Sequence, residues 1–193
     1  MKKLLFLNAC VNRDISRTYR IAKELIALLK KSGDFEITEL VLEKENTRFL
    51  TSETLNIRNE LVDKGDLFNE KFHYANQFKE ADCVVIAAPY WDFGFPAMLK
   101  TYIEEVNVRN IVYEYGECGE LIGLCKAEKI YYVTTRGGNI GDGNDFGFAT
   151  MVQLGKFYGI PEVKCISADG FDIPGNDIEA LIQKAVDRLP NII

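Results

Sequence analysis

Three segments of this 193-residue chain gather residues whose types and spacing could do chemistry. The first is residues 9–18, which end in Ser16-Arg17-Thr18 at the start of a helically patterned stretch. Hydroxyls and free backbone N–H groups would converge there on the positive end of a helix, which suits a terminal phosphate. The plainer alternative is that Asp14 or Ser16 only caps the helix. The second segment, residues 89–96, reads Pro89-Tyr90-Trp91-Asp92-Phe93-Gly94-Phe95-Pro96 and holds the only tryptophan. Exposed loops seldom carry so much aromatic surface without something to cover it. A planar heterocycle would suit its rings and backbone groups, and so would a role as an aromatic staple for the next helix. The third segment, residues 135–143, contains Thr135-Arg136-Gly137-Gly138-Asn139-Ile140. Adjacent glycines let the backbone approach a ligand closely, and their N–H groups could donate to a ring atom that gains negative charge on reduction. Arg136 could add to that field or be an ion-paired structural residue. A flexible glycine-rich connection is the alternative for this loop. No GxGxxG and no Walker-type lysine loop is present, so Rossmann dinucleotide and P-loop readings lose their main support.

The elements that must position these loops are legible from periodicity. Residues 4–7 form an unbroken apolar run, as in a strand covered on both faces. Ile21, Ala22, Leu25, Ile26, Leu28 and Leu29 give residues 17–31 a helical face, which Ser32-Gly33 ends. Residues 35–42 alternate as a second strand, and residues 51–80 are polar and helical. Residues 82–88, Asp-Cys-Val-Val-Ile-Ala-Ala, are the clearest buried strand. A helix is expected from about Phe95, with Pro96 in its first turn. Strands follow at 129–135 and 161–168, with a helix over 144–158 between them and a final helix around Ile178, Leu181, Ile182, Ala185, Val186 and Leu189. Five strands alternating with helices imply a parallel, doubly wound sheet. Such sheets bind ligands beyond the carboxyl ends of their strands, where all three loops fall.

Bulk composition narrows the function classes. Lys and Arg total 23 against 29 Asp and Glu, a formal net charge of −6. That argues against a nucleic-acid or anionic-membrane surface. Five cysteines without a CxxC and a single histidine, His73, make a zinc site an unpromising reading. Cys83 and Cys165 lie in strand-like runs and read as reduced core residues, so a cytoplasmic location is expected. Two lysines followed by Leu-Asn-Ala-Cys look superficially like a lipoprotein signal, but the apolar stretch before Asn8 is too short for one. No segment has the length and hydrophobicity of a bilayer span.

Over essentially its whole length the chain resembles the FMN-dependent NAD(P)H:quinone oxidoreductases and azoreductases of flavodoxin-like fold. The most specific matches are Ala87-Ala88-Pro89-Tyr90-Trp91-Asp92-Phe93, then Pro96 and Leu99-Lys100, and Thr134-Thr135-Arg136-Gly137-Gly138. The resemblance implies one flavodoxin-like FMN-binding α/β domain over residues 1–193. Its five-stranded parallel sheet would have the order 2-1-3-4-5, with helices on both faces. It implies that Ser16, Arg17 and Thr18 hold the FMN phosphate. Pro89, Tyr90, Trp91, Asp92 and Phe93 would contact the isoalloxazine and ribityl chain, and Thr135, Arg136, Gly137 and Gly138 the pyrimidine side. Family members are usually homodimers in which an aromatic of the second subunit covers the flavin, and Tyr113 and Tyr115 fall about where that segment lies.

Four positions depart from the family pattern: Ala9 for a frequent hydroxyl residue, Trp91 for tyrosine, Asp92 for asparagine and Ile140 for a histidine or tyrosine near the substrate. A carboxylate at Asp92 would disfavour added electron density on the ring. The expected reaction is a ping-pong transfer of two electrons from NADH or NADPH, through FMN, to a quinone or azo compound. No protein nucleophile is required, because the flavin carries the chemistry. A flavodoxin-type electron carrier and a non-catalytic binding protein of the same fold are the alternatives. Carriers are usually very acidic, so the mild charge favours an enzyme.

Overall fold

The structure, a computed structural model, describes residues 1–140 and 144–193. In chain order its elements are β1 (Lys2–Asn8), α1 (Arg17–Ser32), β2 (Phe35–Val41), α2 (Ser52–Asp63), α3 (His73–Glu80), β3 (Cys83–Ala87), α4 (Ala97–Val106), β4 (Tyr113–Tyr115), β5 (Leu121–Gly123), β6 (Lys129–Thr135), α5 (Phe146–Tyr158), β7 (Glu162–Ala168) and α6 (Ile178–Asp187). Short 3-10 turns at Leu42–Lys44, Glu70–Phe72 and Leu189–Asn191 complete the list.

The main sheet has the order β2-β1-β3-β6-β7, and every neighbouring pair is parallel. The expected order 2-1-3-4-5 therefore needs correction in its last two positions. A separate two-stranded antiparallel sheet, β4 with β5, is inserted before the fourth strand of the main sheet. Tyr-Glu-Tyr and Leu-Ile-Gly are three residues each, too short to show an alternation that could be read from sequence. The helical stretch 51–80 resolves into two helices, α2 and α3, with a 3-10 turn between them. Gly65 interrupts it with a left-handed φ of 73°, a conformation that closes a helix cheaply only at glycine.

Side chains of the central strands alternate between two cores, as a sheet covered on both faces requires. Leu5 and Leu7 of β1, Val84 and Ile86 of β3, and Ile130 and Tyr132 of β6 join one apolar cluster, which packs on α3, α4 and α5. Leu4 and Phe6, Cys83 and Val85, and Tyr131 and Val133 join the other, which packs on α1 and α6. Because all five strands run the same way, their carboxyl ends share one edge. The loops after β1, β3, β6 and β7 all leave from it.

Candidate functional site

Backbone hydrogen bonds continue past the last paired strand residues and tie these loops together. Ala9 N–H donates to Ala87 O (2.9 Å), Ala88 N–H to Val133 O (3.0 Å), Tyr90 N–H to Thr135 O (3.1 Å) and Arg136 N–H to Ala168 O (2.9 Å). Each loop thus begins from a fixed position on the sheet edge.

In the first loop, Ser16 is the N-cap of α1, and its Oγ accepts the Tyr19 N–H at 3.2 Å. The capping alternative is therefore correct for its side chain. The first N–H groups of a helix lack intrahelical partners. Arg20 N–H finds Ser16 O, whereas the N–H groups of Arg17 and Thr18 are unbonded among the described residues. The Arg17 side chain pairs with Asp172 at 3.0 Å and lies over the Phe171 ring. Thr18 is buried, and its hydroxyl meets that of Thr135 at 2.5 Å, locking the first loop to the third. Cys10, in the same loop, has a thiol that burial pushes up to about 11, so it stays protonated and is no nucleophile.

Residues 91–94 of the second loop form a tight turn. Gly94 N–H donates to Trp91 O at 2.7 Å and Trp91 N–H returns to Gly94 O at 3.3 Å. Its central residues, Asp92 and Phe93, have φ of 49° and 65°, as a type I′ turn demands. Aspartate tolerates that region, whereas a bulky phenylalanine there is an outlier. The turn holds the Phe93 ring 68% exposed and Trp91 47% exposed. Pro89 and Tyr90 behind it are half-buried, and Tyr90 Oη donates to Asn144 O at 2.9 Å.

Arg136 opens the third loop and is 8% exposed. Its guanidinium bonds Asp169 at 3.0 Å and also Asp145. Burial opposes its charge, and the two carboxylates more than restore it, so it stays protonated. A Cβ on Gly137 would lie 2.2 Å from Asp172 Oδ2, whereas one on Gly138 would meet nothing within 4 Å. Gly137 is thus a close-packing position, and Gly138 presents backbone to open space. Ile140 is half-buried, and its carbonyl accepts from Asn144 Nδ2 at 2.8 Å. Gly141, Asp142 and Gly143 of this loop lie outside the described residues.

A fourth segment, which no motif marks in the sequence, completes the edge. After β7, Phe171 N–H donates to Arg136 O (3.2 Å) and Asp172 N–H to Gly137 O (2.8 Å). Asp169, Phe171 and Asp172 therefore brace the first and third loops. The signal available was the cluster of Asp, Gly and Asp directly after a strand, at the same edge as the other three loops. Tyr113 and Tyr115 are placed elsewhere in the chain. Tyr113 packs on Phe157 in the last turn of α5 (4.5 Å between centroids), whereas the first turn of α5 adjoins the third loop. Within one chain, then, these two tyrosines are not brought to the three loops.

A family profile described as flavodoxin-like fold matches residues 2–192. FMN-dependent NADH:quinone oxidoreductase 2 of Clostridium acetobutylicum is 33% identical over 195 residues, spanning 97% of this chain and 96% of that protein. FMN-dependent NADH:quinone oxidoreductase of Coprothermobacter proteolyticus is 36% identical over 196 residues, spanning 96% and 95%. Among solved structures, an azoreductase of Bacillus anthracis superposes with a TM-score of 0.86 at 23% identity, covering 99% of this chain and 98% of that one. An FMN-dependent NADH-azoreductase of the same organism, in complex with FMN, gives 0.84 at 20% identity, covering 99% and 97%. The structural likenesses carry the fold, and the sequence relatives carry the family. The chain belongs to the flavodoxin-like fold family and, within it, to the FMN-dependent NADH:quinone oxidoreductases.

Proposed function

We propose that this chain is an FMN-dependent oxidoreductase that moves two electrons from NADH to a quinone or an azo compound. What supports the reading most is the convergence of four loops on the carboxyl edge of a parallel sheet, in a chain with this family relationship. The residues fit the cofactor. The unbonded N–H groups of Arg17 and Thr18 suit its phosphate. The exposed Trp91 and Phe93 rings and the half-buried Pro89 and Tyr90 suit a flat ring system. The open backbone at Gly138 suits hydrogen bonding to the ring edge. When bound, FMN supplies the hydride and electron-transfer chemistry.

The chain's own residues bind and orient. Ser16 and Thr18 fix the start of α1, Thr135 and Gly137 set the height of the third loop, and Asp92 with Phe93 aims the aromatic turn. Ile140 borders the acceptor. Tyr113 and Tyr115 would reach a flavin only from a second copy, so the reading includes a homodimer. It also includes one domain over residues 1–193, a cytoplasmic location and ping-pong kinetics in which donor and acceptor use one place in turn. NADH is named for the relatives, and a side-by-side rate comparison with NADPH decides the donor.

The test is direct. Purified protein reconstituted with FMN should be bleached by NADH without oxygen and recover its yellow colour on adding a benzoquinone. Double-reciprocal plots at several quinone concentrations should run parallel. Protein that takes up no FMN would end the flavin reading. Bound FMN that NADH cannot bleach would leave an electron carrier, and intersecting plots would remove the ping-pong order.

A further inference from the structure

The Arg-Gly-Gly motif invites the idea that Arg136 offers its charge to the cofactor. The geometry points elsewhere. Both ends of the guanidinium fork are occupied, one by Asp169 at 3.0 Å and one by Asp145. The remaining Nε is buried without a partner among the described residues. Asp145 has a second duty, since its Oδ1 accepts the Phe148 N–H at 2.8 Å and caps α5. Asp169 follows directly on β7, and the Arg136 backbone leaves β6. One side chain therefore joins the exits of β6 and β7 to the start of α5. Arginine suits this task because its rigid fork serves two acceptors at once, which an ammonium on a flexible stem does poorly.

The charge count matters as much as the positions. One guanidinium stands against two carboxylates, which leaves the cluster with a net charge of −1 by simple sum. The neighbouring Asp172 is matched by Arg17 and adds nothing. Arg136 and Asp145, with side-chain exposures of 9% and 14%, are the buried part and cancel, so the excess charge falls to Asp169, which is 31% exposed and only partly screened. Arg136 Cζ lies 5.8 Å from the centroid of the Tyr90 ring, which places the cluster directly behind both the aromatic and the Arg-Gly-Gly loops.

We propose that the Asp145–Arg136–Asp169 cluster positions the third loop and, by its excess negative charge, holds down the reduction potential of a flavin bound against that loop. The electrostatic half rests on the FMN reading above. Reduction adds negative charge to the ring, and a negative cluster behind the loop opposes that. The positioning half concerns the cofactor-free chain as well.

Two variants test it. Asp169→Asn removes one negative charge at a half-buried position and keeps a hydrogen-bond acceptor. Spectroelectrochemical titration of the FMN-loaded variant should show a higher midpoint potential than the unmodified protein. The expected size is about a tenfold rise in the ratio of the oxidised to the reduced FMN dissociation constant, which is about 30 mV for a two-electron couple. Oxidised FMN should bind within about threefold of the unmodified protein, because the loop stays in place. A ratio that stays the same or falls overturns the electrostatic half. Arg136→Lys is read without cofactor, by amide hydrogen exchange. The amides of residues 136, 171 and 172, which donate across the exits of β6 and β7, should exchange about tenfold faster once the fork no longer ties three elements. Unchanged exchange overturns the positioning half. An unmodified protein that takes up no FMN would instead sink the function and the electrostatic half with it, and the exchange result would still decide the loop.

Discussion

The floor and the rim of the candidate site are built on opposite principles. The floor is polar yet buried: Thr18, Thr135 and Arg136 are each at most 9% exposed, and each is bonded across from another loop. The rim is apolar yet exposed, with Phe93 at 68% and Trp91 at 47%. A buried polar group must be satisfied internally, so the floor tolerates one arrangement. An exposed ring satisfies nothing, so the rim answers to whatever settles on it. On the proposed function, the floor would govern stability and cofactor hold, and the rim would govern which acceptor is taken.

The sharpest way to break this division is in the floor. Thr18→Val keeps the shape of the side chain and removes its hydroxyl, leaving the Thr135 hydroxyl buried without its 2.5 Å partner. A buried, unsatisfied hydroxyl costs about 1–3 kcal/mol. Urea unfolding of the cofactor-free variant should show a loss of that size, and fluorescence titration should show weaker FMN binding. A variant as stable as the unmodified protein would mean that the two loops are not coupled through this contact.

The rim should respond in the other direction. Phe93 sits at φ 65°, where a side chain with Cβ is strained. Phe93→Gly relieves that strain, worth about 1–2 kcal/mol, against glycine's entropic cost of about 0.5–1 kcal/mol. The variant should unfold at a slightly higher urea concentration, yet show a raised KM for a benzoquinone acceptor with an FMN dissociation constant close to that of the unmodified protein. Loss of FMN binding would show that Phe93 belongs to the floor. A lower stability would show that its ring is packed rather than presented.

The same contrast explains what the sequence disclosed. The sheet was legible because each central strand is buried on both faces, and residues 4–7 and 83–88 carry that pattern without interruption. Three of the four loops were legible because glycine, hydroxyl and aromatic residues follow directly on such strands. The β4–β5 pair was not, since three-residue strands have no period to read. Nor was the cluster around Arg136. Asp145 and Asp169 are 9 and 33 residues away from it in sequence, and only the parallel pairing of β6 with β7 brings the second one near. The turn at 91–94 was hidden for a different reason. Its second central residue is phenylalanine, which argues against the turn type it adopts.

The smallest expected effect lies at Asp92, where floor-like charge stands in a rim-like place. Its side chain is exposed at the tip of the turn, in a residue with φ 49°. Asparagine tolerates that conformation as well as aspartate does, so Asp92→Asn should leave stability within about 0.5 kcal/mol. If a carboxylate there opposes reduction of bound FMN, the midpoint potential should rise, but by less than with Asp169→Asn. Exposed charges are screened over about 10 Å at 0.1 M salt and about 3 Å at 1 M, so the difference should shrink between those two conditions. The Asp169→Asn shift, arising from a side chain only 31% exposed, should shrink less over the same change. Equal salt sensitivity of the two shifts would erase the distinction between a shielded floor and an open rim. A shift at Asp92 that is clearly more salt-sensitive than the one at Asp169 would establish it with one instrument and two substitutions.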